Sequence, residues 1–115
     1  MATIVVDGRQ FQVEDGKRLV LALEDNDVDI LHLCGGNARC TTCRVEFTDG
    51  EPSAMTAAER SVLEKRELLG IARLSCQVEC AGTMAVSPAM RVSTSEFDKP
   101  GSRPQSGMTP LPDWT

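Results

Sequence analysis

Ile4 and Val6 alternate with polar or surface positions near the start of the chain, and Phe11 and Val13 do so again after Asp7-Gly8. Alternation with a period of two marks a strand with one buried face. Asp-Gly between two such runs predicts a two-residue hairpin turn, because the turn needs φ > 0 and glycine supplies it without steric penalty. Glu14-Asp15-Gly16 breaks the second strand. From about Arg18 to Asp25 the spacing changes, and Leu19, Ala22 and Leu23 share one side of a short helix that would pack on the hairpin. Arg44-Val45-Glu46-Phe47-Thr48 alternates once more and ends at Asp49-Gly50, so it reads as a strand.

Thr56-Ala57-Ala58-Glu59 is a capping box, in which the threonine oxygen accepts a backbone N–H three residues on and the glutamate reaches back. The helix it opens places Ala58, Val62 and Leu69 on one stripe and is expected to stop at Gly70. Glu59, Glu64 and Glu67 alternate with Arg60, Lys65 and Arg66, which reads as a mixed solvated face. Leu74, Cys76 and Val78 alternate with Ser75 and Gln77 as a further strand, and Met84 and Val86 form the last one after Ala81-Gly82. Strand, strand, helix, loop, strand, helix, strand, strand gives an α+β fold with one mixed sheet and helices on one face. From Pro88 the composition shifts, and Pro100-Gly101-Ser102-Arg103-Pro104 and Pro110-Leu111-Pro112 fit neither a helix nor a central strand. The expected division is a folded domain over 1–90 and an irregular tail over 91–115, pinned to the domain by Trp114 or Leu111.

At 115 residues the chain holds one modest core. Three phenylalanines, one tryptophan and no tyrosine leave little for stacking on bases, and 12 basic against 17 acidic residues argue against a phosphate-backbone partner. No nucleic-acid role is therefore expected. The first residues lack a basic start and an apolar run of signal length, and no stretch approaches the roughly 18 apolar residues of a membrane span. A reducing compartment, the cytoplasm, is the expectation, with five cysteines serving a metal rather than disulfides. The chain is expected to be a monomer.

Cys34, Cys40 and Cys43 crowd into one loop, with five and two residues in the gaps, and Cys76 follows after a gap of 32 residues. Four thiolates hold an iron–sulfur cluster, and the ferredoxin run with three close cysteines and a distant fourth is the nearest template. Each iron of an Fe2S2 rhomb needs two thiolates, so the loop must curl around the cluster with its N–H groups aimed at sulfur. Gly35-Gly36-Asn37 are residue types that tolerate such a backbone. Two ferric irons, two sulfides and four thiolates sum to about −2. Added to the chain's formal −5, this makes an acidic protein that gains one more negative charge on reduction. Other readings compete. Cys40-x2-Cys43 with Cys76-x3-Cys80 would make a zinc ribbon or single-iron site, but it leaves out Cys34 and the glycines. His32 is the only histidine, whereas a Rieske site needs two; His32 reads as a partly buried neighbour of the cluster. The acidic run from Glu24 to Asp29 is either a solvated helix end or a docking face for a basic redox partner.

At Cys34-Gly-Gly-Asn-Ala-Arg-Cys40-Thr-Thr-Cys43-Arg44-Val45 the chain resembles a [2Fe–2S] ferredoxin of the β-grasp fold, over about Thr3 to Ser87. The five-residue first gap is similar to adrenodoxin-type and certain bacterial ferredoxins rather than photosynthetic ones. The resemblance implies Cys34, Cys40, Cys43 and Cys76 as cluster ligands, with Arg73-Leu74-Ser75-Cys76-Gln77 as the fourth-ligand strand, which leaves Cys80 a spare thiol. The cysteine array and the lack of a substrate site read as a one-electron carrier between a reductase and an acceptor enzyme, the acidic charge fits a basic partner, and a low-potential cluster is expected, plant-type ferredoxins lying at about −400 mV. No substrate pocket with an acid–base pair is legible, so the chain is read as an electron-transfer protein and not an enzyme. A redox- or iron-sensing module, in which the cluster switches the tail or a partner, is the alternative, and a zinc module the third.

Overall fold

A computed structural model describes residues 1–30, 32, 42–91, 101, 104–107 and 114. Strands β1 (Ala2–Val6) and β2 (Arg9–Val13) form the expected hairpin. Asp7 and Gly8 both have positive φ, 54° and 76°, the type I′ geometry whose twist matches that of the flanking strands. Helix α1 (Leu19–Asp25) follows. Strand β3 (Arg44–Asp49), helix α2 (Ala57–Lys65), a two-residue strand β4 (Arg73–Leu74), a 3-10 turn at Ser75–Gln77 and strand β5 (Thr83–Pro88) complete the described elements.

The strands form one mixed sheet in the order β2-β1-β5-β3-β4. β1 and β5, from opposite ends of the domain, run parallel at its centre, and the other pairs are antiparallel. Ala2, Ile4 and Val6 of β1 and Met84 and Val86 of β5 are buried on one side of that centre, together with Leu19 to Leu23 of α1 and Leu63 of α2. This is the α+β arrangement with one mixed sheet that the hydrophobic pattern predicts, and it fits the β-grasp fold that the resemblance implies.

Three sequence expectations need correction. The run Leu74, Cys76, Val78 is no alternating strand: every residue from Ala72 to Val78 is buried, and the chain leaves β4 after Leu74 to turn through Ser75–Gln77. Helix α2 stops at Lys65, not at Gly70, and Leu69 is 41% exposed. Its terminus is a Schellman arrangement, with Glu67 N–H bonded to Glu64 O (3.2 Å), Leu68 N–H to Leu63 O (2.7 Å), and Glu67 itself at φ 59°. A glutamate takes the left-handed position where a glycine was sought. Glu59 does not belong to a solvated face. It is completely buried, and with Leu63 it forms the buried side of α2.

Chain beyond β5 is fastened to the domain at several points. Arg91 bridges Ile30 and pairs with Asp7 (2.6 Å) and Asp29 (3.1 Å). Trp114 forms a β-bridge with Thr56, is 42% exposed, and lines a cavity of about 370 Å³ with Pro52, Ala54, Gln77, Val78 and Cys80. Leu111 and Met108 lie outside the described residues.

Candidate metal centre

β3 and β4 bring two of the four expected cysteines together. Arg44 pairs with Leu74 across the ladder, so the residue before β3, Cys43, meets the residue after β4, Ser75. Ser75 donates to the Cys43 carbonyl oxygen twice, from its backbone N–H (3.1 Å) and from its hydroxyl (2.7 Å). Cys43 and Cys76 are both buried, at 1% and 0% exposure. A short strand followed by a tight turn therefore brings the backbone of Cys76 next to that of Cys43, through Ser75. Cys34, Cys40 and the Gly35-Gly36-Asn37 string lie outside the described residues.

Around Cys76 the polar groups point inward. Gln77 Nε2 donates to Cys76 Sγ at 3.7 Å, while Gln77 Oε1 accepts from Thr56 Oγ1 at 2.8 Å. The same threonine oxygen accepts from Glu59 N–H at 3.1 Å, which caps α2. Thr56 thus spends its one hydroxyl proton on Gln77 and its lone pair on the helix. That chain of bonds fixes the amide orientation so that its N–H faces sulfur. A thiolate sulfur that receives an N–H is stabilised in its charged form, which suits a cluster ligand.

The returning half of the capping box is absent because Glu59 has a stronger partner. Its carboxylate receives Arg73 Nε at 2.8 Å and Arg73 Nη2 at 3.0 Å, and it also accepts from Leu74 N–H at 2.8 Å. Arg73 continues to the carbonyls of Pro52 (2.7 Å) and Ala54 (2.9 Å). Two-pronged guanidinium–carboxylate contact is the geometry that compensates burial of both charges. It clamps α2, the 52–54 loop and β4 immediately before Cys76.

Arg18, which precedes the apolar run of α1 in the sequence, reaches the same turn. Its side chain is 1% exposed, and its Nε and Nη2 donate to the Cys76 carbonyl at 3.0 and 2.8 Å. The segment before α1 is laid along the turn by backbone bonds, Leu19 N–H to Val78 O (2.8 Å) and Cys80 N–H to Lys17 O (2.8 Å). Sequence reasoning missed Arg18, Ser75, Gln77 and the Glu59–Arg73 pair as parts of the site. The available signals were an arginine beside an apolar run and two polar residues flanking Cys76.

His32 is fully buried rather than partly so, and its Nε2 lies 3.1 Å from Glu24 Oε1. Its Nδ1 meets no partner among the described residues. Cys80 is buried as well, and burial pushes its thiol up to about 12. In the acidic run, Asp25 is paired with Lys17 and Asp29 with Arg91, while Asp27 is exposed at φ 65°.

Comparison with known proteins gives the family. Residues 3–81 match the sequence model of the 2Fe-2S iron-sulfur cluster binding domain. Putidaredoxin of Pseudomonas putida is 40% identical over 77 residues, covering 61% of this chain and 71% of that protein. A component of the Na(+)-translocating NADH-quinone reductase of Methylococcus capsulatus is 34% identical over 84 residues, covering 72% of this chain and 20% of that component. The chain therefore spans about a fifth of the length of that relative. Among solved structures, the crystal structure of a covalent putidaredoxin reductase–putidaredoxin complex superposes with a TM-score of 0.59 at 34% identity, over 78% of this chain and 100% of the matched one.

Proposed function

The chain belongs to the family of the 2Fe-2S iron-sulfur cluster binding domain, so its cofactor is a [2Fe–2S] cluster, and from that premise we propose a one-electron carrier with Cys34, Cys40, Cys43 and Cys76 as the four ligands. The supporting observation is the Cys43–Ser75 clamp: Ser75 bonds the Cys43 carbonyl twice and leads directly into Cys76, both cysteines are buried, and the Gln77 amide is turned toward the Cys76 sulfur. The bound cluster supplies reversible one-electron chemistry. The chain's own residues hold the ligands, exclude water and direct N–H dipoles at sulfur. As a carrier the chain passes electrons between partner proteins rather than transforming a substrate, by analogy with the family it belongs to.

Its partner is a reductase or an acceptor enzyme, by analogy with the putidaredoxin complex, and its compartment is the cytoplasm, where thiols stay reduced. Among the described residues no helix is long and apolar enough to cross a membrane. The working unit is a monomer with a domain over 1–90 and a tail over 91–115. Purified protein should be red-brown, contain two irons and two acid-labile sulfides, and take up one electron in a dithionite titration. One tetrahedral metal without sulfide would falsify the proposal.

A further inference from the structure

Arg18 stands at the N-cap of α1, where its backbone is extended and its side chain makes no capping bond. Serine, threonine, aspartate or asparagine belongs there, and a cation at a helix N-terminus meets the positive end of the helix dipole. The residue is nevertheless 1% exposed, and burial of a charge is unfavourable unless strong partners compensate it. Local propensity, helix electrostatics and desolvation all oppose an arginine at this position. Its reason for being there lies in what it touches.

Two of its contacts are to the Cys76 carbonyl, at 3.0 and 2.8 Å. Two more run the opposite way, from Nη1 to the carbonyls of Gln105 (2.9 Å) and Gly107 (3.1 Å) in the tail. Gln105, Ser106 and Gly107 are themselves exposed, so the tail lies as a cover over the guanidinium. One side chain therefore fixes the backbone of the expected fourth ligand, carries a permanent positive charge into that wall of the site, and pins residues 105–107 over it.

We propose that Arg18 is a positioning residue for the cluster, a buried cation held between the Cys76 turn and the tail that favours the reduced state. The inference rests on the reading of Cys76 as a ligand. A site whose charge goes from about −2 to about −3 on gaining an electron is favoured in its reduced form by a nearby fixed cation. The tail excludes water from the guanidinium and keeps that interaction weakly screened.

The test compares R18M, R18Q and R18K in the full, cluster-loaded chain, with the midpoint potential from spectroelectrochemistry and acrylamide quenching of Trp114, the sole tryptophan, as readouts. In R18M and R18Q the potential should become more negative, so that the reduced-to-oxidised ratio at the wild-type midpoint falls about tenfold. R18K should keep a potential near the wild-type value. Quenching of Trp114 should rise in R18M and R18Q as residues 105–107 come free. Loss of the cluster in both neutral variants with retention in R18K also supports the role of the charge. An unchanged potential in loaded R18M, an equal shift in R18K, or loss of the cluster in all three variants overturns the proposal. Failure of the ligand reading shows differently, as a wild-type spectrum that survives Cys76→Ser unaltered.

Discussion

Cys76 and Cys80 lie four residues apart and are both buried, but their surroundings differ. The Cys76 carbonyl takes two bonds from Arg18, its sulfur takes one from Gln77, and its neighbour Ser75 holds Cys43. Cys80 is buried with its thiol pushed up to about 12, chiefly by desolvation. Cys80→Ser is expected to keep the cluster spectrum nearly unchanged, whereas Cys76→Ser loses or visibly alters it; the reverse result assigns the fourth ligand wrongly. Because folding raises the Cys80 pKa, its contribution to stability is complete below the unfolded value of about 8.5 and is lost as pH rises toward 12. Iodoacetamide at pH 8 should therefore leave Cys80 of the native holoprotein unmodified and label it once the chain is unfolded, and rapid native labelling would contradict its burial. Glu59 makes the opposite case, a charge buried because it is paired. Glu59→Gln breaks the fork on Arg73 and is expected to lower unfolding stability by about 3 kcal/mol, read as a shift in the urea midpoint. A loss below about 1 kcal/mol is what an exposed pair would give, and it would count against the clamp.

Both helices end in the same way, and at neither end does the chain use glycine. α1 closes with Asp27 N–H on Glu24 O (3.2 Å) and Val28 N–H on Leu23 O (2.9 Å), with Asp27 at φ 65°, and α2 repeats the pattern at Glu67. Left-handed backbone costs a non-glycine residue about 1 kcal/mol or more. A glycine there gives back part of that through the freedom of the unfolded chain. Glu67→Gly is accordingly expected to stabilise the protein by about 0.5 kcal/mol, seen as a small rise in urea midpoint at unchanged m-value; a loss would show that the Glu67 side chain does more than fill a turn. The hairpin, both helices and strands β3 and β5 were legible in the sequence because period-two and helical patterns act locally. The end of α2 was not, since the expected glycine lies three residues past the true left-handed position. Nor was the 3-10 turn at Ser75–Gln77: its apolar and polar residues alternate as in a strand, but Ser75 and Gln77 are buried through bonds to Cys43 and Thr56 rather than facing solvent.

Across the whole molecule the chain is acidic, formally −5 before any cluster is counted. The run from Glu24 to Asp29 lies at the C-terminal end of α1, where no basic residue offsets the dipole, so its acids oppose local helix stability. Lys17, His32 and Arg91 answer Asp25, Glu24 and Asp29 from within the chain, and Asp27 is the exposed residue of the run best placed to meet a partner. Reduction by a cognate reductase is expected to slow on the order of tenfold from low to physiological salt, and Asp27→Asn to slow it at low salt without altering the cluster spectrum. A flat salt profile sinks the docking role. The sequence by itself determined the strand and helix order, the acidic balance and the four-cysteine array, because each is written in spacing or composition. Only the tertiary structure decided that Glu59 faces Arg73, that Gln77 aims at the Cys76 sulfur, and that Arg18 spans from the Cys76 turn to the tail. Those pairings join residues 14, 1 and 58 positions apart. The two distant ones are set by how β3, β4 and the segment before α1 converge, and the near one by a turn, none of which leaves a periodic trace along the chain.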